Sequence, residues 1–359
     1  MHQEPEPHLR PATPAHRRPA ARHRTTAVTA AAALAIALAG CSSTASSGAA
    51  ASGGKAASTG YPVSVVNCGR TLTFDSAPKR VVSLWQAPTE MMLALGLESR
   101  LTAMAGNYAP FPPSVASAAA KVPSIGTSMS WPSKEVLLSQ DPDLVVGQSL
   151  QGYAFDTSQG YASVQQIEAD GAQVYGANIC DADGGDALKM TLQTPITTLQ
   201  DFGKIFDVTG RAQTIITRLE AEKQKVVNAV KGQPTVKVAF YNGGQGPLIV
   251  LAGGIYDSEI TTAGGKDVFP ANSVSVSKEE FESTAAGADV ILVGTFQGQD
   301  FATQRAYLAR TFPNLPAVKD GRIVQIPVDD TDASITVMKG LTEIANALHP
   351  GLHIPVPAT

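Results

Sequence analysis

The chain has 359 residues, of which 43% are hydrophobic and 16% charged; that composition excludes a disordered chain and leaves room for more than one core. Its formal net charge is −4, but five of the 27 basic and two of the 31 acidic residues fall in the first 40 positions. The remainder therefore has 22 basic against 29 acidic residues, a net charge of −7, which argues against a nucleic acid partner.

At the N-terminus, Arg10, Arg17, Arg18, Arg22 and Arg24 precede an apolar run of 13 residues, Ala27 to Ala39. The run is too short to cross a bilayer. A basic segment, a short apolar segment and small residues before a cleavage point describe an export signal over residues 1–40. Leu38-Ala39-Gly40-Cys41 resembles the lipobox of bacterial lipoproteins. That resemblance implies that Cys41 is lipidated and becomes the first mature residue, with two acyl chains of the kind stable anchoring needs. Residues 41–60, rich in Ser, Ala and Gly, read as a flexible tether. No later stretch is apolar enough to span a membrane, so the lipid is the only membrane attachment expected. Cys68 and Cys180 then remain as an even pair. In an oxidising exterior they can form a disulfide, the alternative being two separate buried thiols.

Arg80-Val81-Val82-Ser83-Leu84 opens the globular part as a continuous apolar run, the pattern of a buried parallel strand. Pro88-Thr89-Glu90 leads into a helix through Met91, Met92, Leu93, Leu95 and Leu97, with Gly96 near its end. A second helix starts near Pro132-Ser133-Lys134-Glu135 and stops at Asp141-Pro142-Asp143, and Leu144-Val145-Val146-Gly147 is the next buried strand. Short strands alternating with helices imply parallel α/β packing.

The same order returns after residue 232. Val236 to Tyr241 reads as a strand, Gly264 to Phe269 as the close of a helix, Ser277-Lys278-Glu279-Glu280-Phe281 as the start of another, and Asp289 to Gly294 mirrors Asp143 to Gly147. Between the halves, residues 195–231 carry Ala212, Ile215, Ile216, Leu219, Val226, Val227 and Val230 at helical spacing, opposite Arg218, Glu220, Glu222 and Lys225. Thr209-Gly210 is the expected break between two helices. The expected organisation is a first lobe over 61–194, a helical connector over 195–231 and a second lobe over 232–359. A rigid helical connector permits only a small hinge movement.

Taken in order, Ala77 to Leu84, Thr89-Glu90 with Leu95-Gly96-Leu97, Pro132 to Glu135 with Asp141 to Val146, Ala263 to Phe269 and Gly321 to Val324 resemble the substrate-binding lipoproteins of ABC importers. The similarity is to the helical-backbone class that handles iron-siderophores, haem and cobalamin, and it covers nearly everything from about Tyr61 to Pro350. It implies two Rossmann-like α/β lobes joined by a long backbone α-helix, a ligand cleft between the lobes, and docking onto membrane permease subunits. In that family one acidic residue on each lobe meets permease arginines, which here matches Glu135 and, with Glu280 and Glu282 as alternatives, Glu279. A helix N-terminal carboxylate is the plain alternative role for both. A monomeric receptor on the outer face of the cell membrane is expected, with no cofactor of its own.

Ligands of open α/β sheets lie beyond the carboxyl ends of the strands. Trp85, Tyr153, Tyr241 and Phe296 follow strand ends, and Tyr108, Trp131 and Tyr256 lie on nearby loops, giving a largely apolar wall; Arg305 is one of few basic candidates beside it. Some of these aromatics are alternatively plain core. Asp156, Asp181, Asp183, Asp186, Asp300, Asp329, Asp330 and Asp332 populate the loops, while members of the family that take strongly anionic ferric complexes use cleft arginines. The expected ligand is therefore a neutral or cationic iron chelate such as a ferric hydroxamate, with cobalamin or haem as the alternative. Direct metal binding is not expected, because only His349 and His353 follow the signal and Asp329-Asp330-Thr331-Asp332 lacks an EF-hand's glycine and glutamate. An enzyme is the competing class, yet neither Asn242 to Gly246 nor Ala252-Gly253-Gly254 fits a dinucleotide or phosphate loop, and there is no nucleophile elbow. A surface scaffold protein is the third reading.

Overall fold

The computed structural model describes residues 60–358 apart from 128–129, 181–184 and 297–298. The export signal, Cys41 and the tether up to residue 59 lie outside the described residues. Val63–Asn67 (β1) and Arg70–Phe74 (β2) form an antiparallel hairpin. Its turn residues, Cys68 and Gly69, have φ of 52° and 70°, the pair of positive values that a tight hairpin turn requires.

The first lobe continues with Val81–Ser83 (β3), Gln86–Ala94 (α1), Leu101–Met104 (β4), Pro113–Ala119 (α2), Lys134–Leu138 (α3), Leu144–Ser149 (β5), Val164–Ala169 (α4) and Gln173–Ile179 (β6). Thr194–Ile205 (α5) and Thr209–Val230 (α6) make the connector. The second lobe contains Val236–Tyr241 (β7), Leu248–Ile249 (β8), Gly254–Thr262 (α7), Gly265–Asp267 (β9), Ser275–Val276 (β10), Lys278–Ala285 (α8), Val290–Thr295 (β11), Phe301–Thr311 (α9), Pro316–Lys319 (α10), Ile323–Pro327 (β12) and Val337–Leu348 (α11).

Each lobe holds a parallel four-stranded sheet, ordered β4-β3-β5-β6 in the first and β12-β11-β7-β9 in the second. Numbered by chain order within the lobe, the first sheet reads 2-1-3-4 and the second, taken from its other end, reads 2-1-3-4 as well. The sequence repeat is thus a repeat of topology. One contact shows its origin. The Asp143 carboxylate accepts from the backbone N–H groups of Lys79 and Arg80, just before β3, and that of Asp289 from the N–H of Lys237, the second residue of β7, so the aspartate before each third strand satisfies backbone where the first begins.

Both faces of each sheet are buried, which explains the continuous apolar runs. In the first sheet Val81, Leu144 and Val146 face a central core, and Val82, Val145 and Val174 an outer one. In the second, Val238, Phe240, Val290 and Leu292 face the same central core, while Ala239, Tyr241, Ile291 and Val293 face an outer one. Leu199 and Phe202 of α5, Ile216, Leu219 and Val226 of α6 and Leu341 and Ile344 of α11 fill the centre. The two lobes therefore share one core through the connector, which limits their relative motion.

Three expectations are corrected. The connector breaks at Phe206–Val208, with Asp207 left-handed at φ 55°, and Thr209-Gly210 opens α6 instead. Gly265–Asp267 is not a helix end but the edge strand β9, which backbone pairing with β7 draws out of α7 after Thr262. Val227, assigned to the apolar side of the connector, is exposed. Cys68 and Cys180 form a disulfide, with Cα atoms 5.0 Å apart at a sequence separation of 112.

Candidate ligand cleft

In a 2-1-3-4 sheet the connections leave the first and third strands in opposite directions, and the crevice this opens is where α/β sheets receive ligands. Here the crevice of the first lobe lies between the ends of β3 and β5. Trp85 follows β3, Gln148 is the last residue but one of β5, and aromatic rings gather around Trp85. Trp85 lies 5.0 Å from Tyr108, 6.2 Å from Trp131 in near-parallel stacking and 6.1 Å from Tyr153; Trp131 lies 6.2 Å from Tyr153 and 5.9 Å from Tyr161. Phe296, from beyond β11 of the second lobe, packs on the same cluster. The wall thus spans both lobes.

Particular residues hold these rings in place. The Trp131 indole N–H donates to the Leu84 carbonyl at 2.7 Å. That approach passes over Gly106, where a Cβ would stand 2.6 Å from the Leu84 oxygen and 2.7 Å from the indole nitrogen, and whose φ of 70° suits glycine. Gly147 likewise admits the Phe155 ring, which would lie 2.5 Å from a Cβ there. Tyr153 is half-exposed at the mouth and sits at φ 45°, an uncommon conformation for a bulky residue.

Polar atoms without partners mark the same strand ends. Trp85 Nε1, Asn107 Oδ1, Gln148 Oε1, Asn242 Oδ1 and Gln304 Oε1 are buried and have no hydrogen-bond partner among the described residues. Asn107 lies just beyond β4, Asn242 directly after β7, and Gln304 beside the end of β11, where its amide donates to Gly294. Such atoms cost about 1–3 kcal/mol each when left unmade, so they are the anchors a ligand can satisfy. On the second lobe the strand ends also border a pocket of about 370 Å³ lined by Tyr241, Gly243, Gln245, Gln299, Asp300 and Gln304. A larger cavity, about 590 Å³, runs along β12 and α11 and includes none of the wall residues.

The sequence-predicted residues separate into two groups. Trp85, Tyr108, Trp131, Tyr153 and Phe296 come together. Tyr241 does not join them: it is 2% exposed, its ring packs 5.8 Å from Phe281 in the outer core and its hydroxyl donates to the Gly244 carbonyl. Tyr256 packs edge-on against Phe240 at the rim of the central core, and burial, then Glu259 and Tyr153, push its phenol well above the usual range. Arg305 is exposed on α9 and borders neither the aromatic cluster nor the 370 Å³ pocket. Arg70 is bound away from the cleft, 2.5 Å from Glu168 and 2.6 Å from the Val174 carbonyl. Tyr161 and Asn107 were not foreseen. Each directly follows a glycine, Gly160 or Gly106, but the positive φ that gives those glycines their meaning is visible only in the structure.

Glu135 and Glu279 occupy equivalent places. Each is the second residue of its helix after a capping serine, Ser133 or Ser277, and each is exposed. Backbone N–H groups, then the serine hydroxyl, hold both carboxyls below the usual range, so both are firmly ionised. The shared Ser-Lys-Glu register makes Glu279, rather than Glu280 or Glu282, the positional counterpart of Glu135.

A family model described as periplasmic binding protein matches residues 81–329. Among solved structures, a periplasmic binding protein from Veillonella parvula is 21% identical with a TM-score of 0.70, covering 80% of this chain and 97% of its own. An ABC-type Fe3+-hydroxamate transport system structure from Saccharomonospora viridis is 23% identical with a TM-score of 0.65, covering 80% and 99%. A periplasmic heme binding protein from Pseudomonas aeruginosa is 20% identical with a TM-score of 0.58, covering 78% and 96%. At these identities the likeness is one of fold. No curated protein matches the sequence.

Proposed function

Since the chain belongs to the periplasmic binding protein family, we propose that it is the extracytoplasmic receptor of an ABC importer and takes a neutral or cationic ferric chelate, of hydroxamate type, between its lobes. One observation carries this reading. The wall at the strand ends is built from Trp85, Tyr108, Trp131, Tyr153, Tyr161 and Phe296, with no lysine or arginine among the residues that form it. Aromatic faces attract cations and pack apolar ligand surface, whereas a strongly anionic chelate would enter without a counter-charge. The net charge of −7 beyond the signal weighs in the same direction. The similarity to a hydroxamate transport protein supports the chelate class.

Delivery follows from the rest of the chain. A lipid on Cys41 and a Ser/Gly tether would keep the receptor at the membrane, raising its local concentration at the permease. Glu135 and Glu279, ionised and one per lobe, are the residues proposed to meet permease cations. No catalytic step is proposed for any residue.

Uptake of radiolabelled iron tests this reading. A strain of the source bacterium lacking its own copy, complemented with this chain, is expected to import iron presented as ferrioxamine or ferrichrome. Restoration of uptake only from an anionic ferric catecholate would overturn it.

A further inference from the structure

One set of buried hydrogen bonds crosses from the second lobe to the ligand wall. Ser334, wholly buried between β12 and α11, donates through its hydroxyl to one carboxyl oxygen of Glu90. The other oxygen of Glu90 accepts from the Gln86 amide at 2.9 Å, one helical turn earlier on α1. The Gln86 carbonyl oxygen in turn accepts from the backbone N–H groups of both Tyr108 and Ala109, each at 2.8 Å. Tyr108 is the ring closest to Trp85. Gln86 and Glu90 are 1% and 4% exposed, so neither exchanges these partners for water.

We propose that Glu90 is a positioning residue: through Gln86 it fixes the loop that carries Tyr108, and through Ser334 it ties that loop to the second lobe. The amide of Gln86 has one acceptor and one donor end, and both are committed. Removing the Glu90 carboxylate frees the donor end and leaves a buried group unmatched, so the amide reorients and the Tyr108 backbone loses its acceptor. Removing the Ser334 hydroxyl cuts the same relay at its far end. The consequence for the receptor is that wall shape and lobe spacing are set together. That consequence depends on the wall being the ligand face, whereas the geometry itself does not.

The test reads the ligand-free protein. The chain has two tryptophans, Trp85 and Trp131, and both stand in the wall, so tryptophan fluorescence, excited selectively over tyrosine, reports on the wall alone. Quenching by acrylamide is expected to strengthen roughly twofold in Glu90→Ala and, to a lesser degree, in Ser334→Ala, as Trp85 loses the cover of Tyr108. Glu90→Gln, whose amide can accept from Gln86 and donate to Ser334, is expected to quench like the wild type. Val226→Ala, in the central core on α6, is the control for plain destabilisation and is expected to leave quenching unchanged. Should Glu90→Ala fail to fold, Ser334→Ala with its single lost hydroxyl carries the test. Wild-type quenching in both relay variants, an equal change in Val226→Ala, or Glu90→Gln behaving like Glu90→Ala would each overturn the proposal. Because no chelate is added, a wrong ligand assignment cannot produce any of these results.

Discussion

Gly106 shows how much of the wall depends on one absent methyl group. A Cβ there would meet both the Leu84 carbonyl and the Trp131 indole nitrogen, the two ends of the bond that holds Trp131. Gly106→Ala adds that clash to an unfavourable positive φ, together costing about 1–3 kcal/mol. The variant is expected to unfold at lower denaturant and, with Trp131 displaced, to bind its chelate roughly tenfold more weakly; wild-type affinity would remove Trp131 from the ligand face. This position was hard to read in the sequence, because Gly106 follows β4 without any marker of the bond its neighbours make across it. Trp85 and Tyr153 were legible, since strand ends in parallel sheets are predictable from apolar runs. Tyr241 misled for the same reason. It ends a strand, but its side chain alternates with Phe240 and so points to the outer core.

At the scale of elements, α3 and α8 start alike. Ser133 and Ser277 cap them, and the two glutamates at the second helical position keep their charge through backbone and serine hydrogen bonds. Glu135→Lys and Glu279→Lys are expected to abolish chelate uptake in whole cells while leaving chelate affinity of the isolated protein unchanged. Full uptake by the double variant would exclude these residues from docking. The repeated Ser-Lys-Glu and the paired Asp143 and Asp289 made the mirrored starts legible. The break in the connector was not. Asp207 adopts a left-handed conformation that its residue type only permits, whereas Thr209-Gly210 looks like a breaker but begins a helix, where a residue of low helix propensity costs little.

For the whole molecule, buried carboxyls set the response to pH. Burial first, then Asp332 and Asp329, push the Glu90 carboxyl from 4.5 up to about 7 against the Ser334 and Gln86 hydrogen bonds. Burial raises Glu343 and Asp267 to about 7 as well. A carboxyl whose value is higher in the folded than in the unfolded chain keeps its proton more tightly when folded. Its contribution is complete below the unfolded value near 4.5 and is lost as pH rises through about 7, on the order of 3 kcal/mol for Glu90. Thermal unfolding is therefore expected at a lower temperature at about pH 8 than at about pH 5, with a smaller difference in Glu90→Gln. A midpoint that rises with pH would contradict this assignment of the buried acids.

The lobes themselves were the most legible feature of the sequence, because two buried parallel sheets write continuous apolar runs twice in one order. How they meet was not legible, since a shared core is made of residues distant in sequence, Leu199, Val226 and Ile344 among them. The central claim is that the aromatic wall joining them receives a ferric chelate without negative charge. Its most direct test is a tryptophan fluorescence titration of the protein lacking residues 1–41 with ferrioxamine, ferrichrome, a ferric catecholate, haem and cobalamin. Saturable quenching by ferrioxamine or ferrichrome, with none by the catecholate, is the predicted result; saturation by the catecholate, or only by haem or cobalamin, would contradict it.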